Sequence, residues 1–230
     1  NMVENLFQIR EKEIFETLKN LRTQKFVLIG GYAVNAYTFP RFSTDCDIVI
    51  YADNFAAIKK ILSKIGYKES QETSELPYHG KFTRFEKEIK ENFKVSIDIL
   101  ISEIKDRQTG SVFSADWVFD NSQIRTLRGK TITEELKIRI INPEALFVTK
   151  MISCRTTDIR DMFLLISEIK NRDWIKQEVS SRYSFNNQLK IIKKEITSKQ
   201  FKDGLQGVFG SIDNRIFEKH KNLILSLDNL

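Results

Sequence analysis

Lys25-Phe26-Val27-Leu28-Ile29-Gly30-Gly31 is followed, after thirteen residues, by Asp45-Cys46-Asp47-Ile48. The apolar run 25–29 predicts a short strand and the glycine pair a tight turn. Tyr32–Tyr37 is Ala-containing and helix-compatible, and Pro40 stops it. Asp45–Tyr51 alternates and is rich in Ile and Val, which predicts a second strand. Carboxylates spaced i, i+2 on a strand point to one face, so Asp45 and Asp47 converge on a small volume. Like charges that close repel, and a cation between them removes the conflict. Oxygen ligands of this kind suit Mg²⁺, which keeps waters and shares phosphate oxygens. The glycines supply backbone N–H groups with no Cβ to hold a phosphate away. Metal and phosphate binding are thus offered side by side.

A third acid completes the set. Asp98 lies in Val95-Ser96-Ile97-Asp98-Ile99-Leu100, flanked by apolar residues where an acid is costly. On a neighbouring strand it would reach the same metals and act as the base that takes a proton from an attacking hydroxyl. Cys46, between the two acids, faces the opposite side of the strand and reads as a small core hydrophobe.

Outward from this centre, residues 3–22 predict an amphipathic helix, with apolar Leu6, Ile14, Leu18 and Leu21 mostly three and four apart. Residues 54–65 predict a helix closed by Gly66. Residues 81–86 and the strongly alternating 93–102 add two strands. Residues 124–127 and 137–141 add two more around a basic turn at Arg128-Gly129-Lys130. The expected fold is α+β, with a small mixed β-sheet flanked by helices. Pro143 then marks a change to helical periodicity, through 145–154, 157–169, 189–196 and 215–227. The expected boundaries are 1–142 for an α/β domain and 143–230 for a helical C-terminal domain. No internal repeat or low-complexity tract is present.

Gly30-Gly31, Asp45-x-Asp47 and the later isolated Asp98 resemble the signature of the nucleotidyltransferase superfamily related to DNA polymerase β. Arg41-Phe42-Ser43-Thr44-Asp45 matches the Arg-x-Ser/Thr-x-Asp run of many small members. Lys150 followed by Arg155-Thr156-Thr157-Asp158-Ile159-Arg160-Asp161 is similar to the helical Lys…Arg-x-Lys-Asp-x-x-Asp segment of the abortive-infection toxin type, the AbiEii-like enzymes. Thr157 stands where that pattern usually has Lys. The resemblance covers about residues 25–165. It implies two Mg²⁺ ions held by Asp45, Asp47 and Asp98, and NTP as substrate. An acceptor hydroxyl attacks the α-phosphorus and pyrophosphate leaves. It further implies that Gly30, Gly31 and Ser43 line the phosphates and that Lys150 gives a point charge to the β- or γ-phosphate. Asp158 and Asp161 would support the site from the helical part.

Simpler readings stand beside these. Arg41 either holds a phosphate or pairs with a nearby acid. Lys150 is either a phosphate ligand or a solvated helix lysine, and Asp158 either supports the site or caps a helix beginning near Thr157. His79 and His220 have no partners at metal-ligand spacing and read as non-catalytic. The 17 phenylalanines read as core.

The 230 residues are 41% hydrophobic and 30% charged, a composition that folds in water, and no apolar run approaches the length of a membrane span. No signal peptide is evident, and Asn1 ahead of Met2 reads as an added residue. Two cysteines outside any CxxC pair fit a cytoplasmic, reducing setting. Of the net charge of +6, residues 171–230 hold 11 basic against 7 acidic side chains, while 26–170 hold 21 against 20. The expected partners are an NTP and an RNA acceptor, a tRNA 3′ end among the candidates, tracked by the basic residues after 171; a cognate antitoxin is a further one, and no membrane. The alternatives are a small-molecule acceptor such as an aminoglycoside-type antibiotic, a protein side chain, or a nucleotide-binding module without catalysis.

Overall fold

The computed structural model describes residues 5–70, the backbone of 78–79, and residues 81–228. The start of the helix expected from residue 3 and the side chain of His79 lie outside the described residues. In chain order the elements begin with α1 (Leu6–Leu21), β1 (Val27–Ile29), α2 (Gly30–Val34), β2 (Asp45–Ile50), α3 (Phe55–Lys64), β3 (Lys68–Glu69) and β4 (Tyr78–His79). Next come β5 (Phe82–Lys90), β6 (Phe93–Ile101), β7 (Glu103–Asp106), β8 (Val112–Ser114), α4 (Ala115–Asp120), β9 (Ser122–Leu127) and β10 (Leu136–Ile141). From there the chain is helical: α5 (Pro143–Ser153), α6 (Thr156–Leu165), α7 (Arg172–Ser180), α8 (Phe185–Ile196), α9 (Phe201–Phe209) and α10 (Asn214–Leu225).

Seven strands form one mixed sheet in the order β3-β5-β6-β2-β1-β10-β9. The β2–β6 and β1–β10 pairs are parallel, and the other neighbours are antiparallel. A smaller sheet, β4-β7-β8, stands at its margin. The order places β2 and β6 inside the sheet. Ser96 to Leu100 are all buried, so this stretch of β6 is covered on both faces, which a central strand requires. The large sheet has one strand more than expected, β3, which at two polar residues is too short to show a period, and the separate smaller sheet was not expected.

Local chemistry explains the elements that aim the site. Asn5 Oδ1 accepts from Phe7 N at 3.0 Å and caps α1, whose Ile14, Leu18 and Leu21 enter the core. On the same helix the buried Glu11 carboxylate accepts from Lys130 N at 2.6 Å and Thr131 N at 2.8 Å, which pins the β9–β10 turn. Pro143 takes the first position of α5, where its missing N–H costs nothing. Cys154, left-handed at φ 48°, ends α5, and two residues later α6 begins. One contiguous apolar core runs from α1 through the sheet to α10. Among the described residues, no helix is long and apolar enough to cross a membrane.

Candidate active site

Sheet register assembles the centre. Ile29 pairs with Asp47, Asp47 with Asp98, and Asp98 with Arg84, so one row across β1, β2, β6 and β5 carries two acids and an arginine. Two positions along the same strands Asp45 pairs with Ser96. Ser96 Oγ donates to Asp45 Oδ1 at 2.6 Å and Thr44 Oγ1 to Asp45 Oδ2 at 3.1 Å. Cys46 lies fully buried on the opposite side of β2, as its place between the two acids requires.

The three carboxylates differ in how they are compensated. Asp98 is 0% exposed and takes a two-pronged ion pair from Arg84, Nε to Oδ1 at 2.7 Å and an NH2 nitrogen to Oδ2 at 2.8 Å. The same guanidinium lies 3.3 Å from Asp45 Oδ1. Among the described residues nothing donates a hydrogen bond to Asp47. Burial, with the charges of Asp98 and Asp45 added, pushes its carboxyl up to about 8. Burial likewise raises Asp98, and Arg84 opposes the rise.

Gly30 closes over this acid. It has φ 66°, and a Cβ built on it would overlap the Asp47 carboxylate. A Cβ on Gly31 would meet Ser43 Oγ and lie 2.9 Å from an Arg41 guanidinium nitrogen. The glycine pair therefore brings bare backbone against Asp47, Ser43 and Arg41 together, and the 30–47 segment folds back on itself at the acid.

The residues fit a hard divalent cation in chemistry. The donor set is all oxygen, and Asp47 is an uncompensated acid beside two others. Among the described residues, however, no three acid, His or Cys side chains are gathered closely enough to hold a metal ion as they stand. As the side chains stand, the Arg84 guanidinium neutralises Asp98 and reaches Asp45.

The helical side supplies a second charge network. Lys150, buried on α5, lies 2.7 Å from Asp161 Oδ2 and 3.2 Å from Asp158 Oδ1, both on α6. Arg41 grips Asp161 with two bonds of 2.8 Å, which answers the question left open for this arginine. Asp158 also accepts from Arg155 N at 3.2 Å, Arg155 Nε at 2.8 Å and Ser153 Oγ at 2.9 Å, so it caps α6 and holds charge at once. Burial pulls the Lys150 ammonium down, yet Asp161 and Asp158 hold it above its ordinary value. Burial lifts Asp158, and Lys150 and Arg155 bring it below the usual carboxylate range. Lys150 is no solvated helix lysine. Gly30, Lys150, Ser153, Arg155 and Asp158 line one small cleft, with Ile104 and Phe113 of the minor sheet opposite.

The structure therefore brings Asp45, Asp47 and Asp98 together with Gly30, and joins Gly31 to Ser43 and Arg41. Lys150, Asp158 and Asp161 form the adjoining network, linked to the glycine loop through Arg41. Sequence reasoning missed Arg84 and Ser96. The alternation of 81–86 puts Arg84 on one face of its strand, but its partner depends on strand order, which spacing does not reveal.

A mixed sheet with two acids on one strand, a third on its parallel neighbour and a glycine pair opposite them defines a nucleotidyltransferase. The model of the family described as "Nucleotidyl transferase AbiEii toxin, Type IV TA system" matches residues 15–216, and the chain belongs to this family. No curated protein sequence is similar. Among solved structures, a putative nucleotidyltransferase from H. pylori superposes with TM-score 0.52 at 16% identity, over 99% of this chain and 96% of that one. JHP933 from Helicobacter pylori gives TM-score 0.51 at 16% identity, covering 98% and 93%. ANT(2")-Ia, solved with adenylyl-2"-tobramycin, gives TM-score 0.50 at 14% identity, covering 75% and 96%. At these identities the likeness is one of fold.

Proposed function

We propose that the chain transfers a nucleoside monophosphate from an NTP to a hydroxyl of RNA, with Mg²⁺ bound by Asp45, Asp47 and Asp98. Residues 1–142 form the catalytic domain and 143–230 the helical domain. The observation that carries this reading is the placement of Gly30 against the unpaired Asp47 carboxylate, which leaves bare backbone beside an uncompensated acid cluster. Bound there, the two Mg²⁺ ions would neutralise the charge developing on the triphosphate. Gly30, Gly31 and Ser43 give the phosphates N–H and O–H donors, and Lys150 adds positive charge from the facing helix. Asp98 takes the proton of the attacking hydroxyl once Arg84 releases it. Arg41, held by Asp161, fixes the loop that carries Ser43 to the helical domain.

A cognate antitoxin is the proposed protein partner, in keeping with the toxin–antitoxin character of the family, and the cytoplasm the proposed setting. The test is incubation with Mg²⁺, each α-labelled NTP and total RNA. Label on RNA, lost with chelator and in Asp47→Ala, is the expected result. Label on a small molecule or a protein instead would redirect the acceptor, and none anywhere would refute transfer.

A further inference from the structure

The chemistry at Asp45, Asp47 and Asp98 does not use a groove of about 560 Å³ between residues 35–40 and α10. Phe39, 55% exposed, and Ile216 form its apolar walls, and Arg128 and Lys219 add positive charge against one acid, Glu168. His220 lines it too. This imidazole is 7% exposed, and its Nδ1 has no hydrogen-bond partner among the described residues. The ring bonds the Phe163 backbone, and burial, aided by Lys219, keeps it below the ordinary histidine value. Nδ1 itself is enclosed, so the ring borders the groove without offering that nitrogen to it as the structure stands.

The groove continues into two others. Ala36 and Arg128 also line a second, of about 440 Å³, with Arg125 and Lys137. Lys137 and Ile124 line a third, of about 390 Å³, with Arg22, Lys25 and Arg139. Neither of these two has an acidic residue in its lining. They follow β9 and β10, and β9 is an edge of the large sheet. The glycine-loop end of the groove is fixed, because Asn35 bonds the Arg41 backbone twice, at 2.9 and 3.1 Å.

We propose that this surface is the RNA track: phosphates follow Lys137, Arg125 and Arg128, and one unstacked nucleotide seats its base between Phe39 and Ile216 beside the His220 ring. An apolar slot beside cations suits a flat base joined to a phosphate. A slot walled by apolar side chains takes a splayed-out base by its faces, so it selects an unpaired nucleotide and not a particular base. Continuity with two acid-free grooves argues for a strand over a free nucleotide. The inference rests on the RNA-acceptor reading and moves the contact from the whole basic tail to the β9–β10 edge, of which the tail contributes only α10.

The test uses the full chain as Asp47→Asn, without NTP, and a fluorescein-labelled single-stranded RNA of mixed sequence. Arg125→Glu/Lys137→Glu should weaken binding at least about tenfold and lower the salt slope by about two. Lys190→Glu/Lys194→Glu, on exposed positions of α8, is the tail control and should change binding less than about twofold on the same scale. Thermal melts establish that both variants fold. In ¹⁵N-imidazole spectra the chain's two histidines are separated with His79→Gln, and the His220 Nδ1 resonance should move as RNA is added. Equal or greater loss in the tail variant, an unmoved His220 at saturation, or no RNA binding at low salt would each overturn the proposal. Label transfer is scored separately: RNA labelled normally by Arg125→Glu/Lys137→Glu sinks the track and leaves the acceptor reading standing. Label that goes to another acceptor while the track binds RNA sinks the acceptor reading alone.

Discussion

Arg84 and Asp98, paired across β5 and β6, share two bonds of 2.7 and 2.8 Å, and the arginine stands where a cation shared by Asp98 and Asp45 would lie. Removing one partner of a buried ion pair costs about 3–5 kcal/mol, because the other charge is left without compensation. Arg84→Gln is therefore expected to melt well below the parent without metal. Millimolar Mg²⁺ should restore more of the melting temperature in Arg84→Gln than it adds to the parent. Equal Mg²⁺ shifts in the two proteins would show that arginine and metal do not compete.

Gly30 holds φ 66° with the Asp47 carboxylate in the space of its missing Cβ. Gly30→Ala must accept a left-handed backbone, about 1 kcal/mol or more, and also displace the acid. Nucleotide transfer should fall by orders of magnitude while urea denaturation shows a loss of only about 1–3 kcal/mol. Activity within a few-fold of the parent would contradict the close approach on which the site depends.

How much of this was legible before the structure follows from which contacts are local. Strand, glycine turn and Asp-x-Asp are written in consecutive residues with a period of two, and Asp98 betrays itself by its apolar neighbours. The strands β7 and β8 are too short to show a period, and α7 and α9 are only nine residues long, α9 with Gly204 and Gly207 inside it. Partners far apart in sequence were out of reach: Arg41 and Asp161 are 120 positions apart, and nothing local says that one holds the other. Charge counted along the chain does not locate a surface either: the tail has the larger surplus, while the acid-free grooves lie where β9 and β10 place Arg125, Lys137 and Arg139 together.

Lys150 compensates Asp158 and Asp161 from within the core, so Lys150→Met should cost about 3–5 kcal/mol in denaturant unfolding. Asp158 keeps Arg155 and Asp161 keeps Arg41, and that residual pairing sets the lower figure. Lys150→Met/Asp158→Asn should be less destabilised than the two single changes added together, with a coupling of about 0.5–3 kcal/mol. Simple additivity would mean that the pair does not interact in solution.

His220 sets a pH dependence whose sign follows from its burial. Its folded-state pKa lies below the unfolded value of about 6.5, so the unfolded chain binds the proton more readily. The neutral ring's contribution is complete above about pH 6.5 and declines as pH falls from there toward the folded value. The Asp47 carboxyl, raised to about 8, works the other way, because the fold holds its proton where the unfolded chain has lost it, so the comparison is made in the Asp47→Asn background. There urea midpoints should drop between neutral pH and the mildly acidic range, before carboxylates such as Asp158 begin to protonate. His220→Gln keeps a polar, similar-sized group without that titration, and its profile should be flatter across the same interval. A profile as steep as the parent's would assign the slope to another group, whereas flattening would identify His220 as neutral in the fold, the state in which its Nδ1 can accept a hydrogen bond.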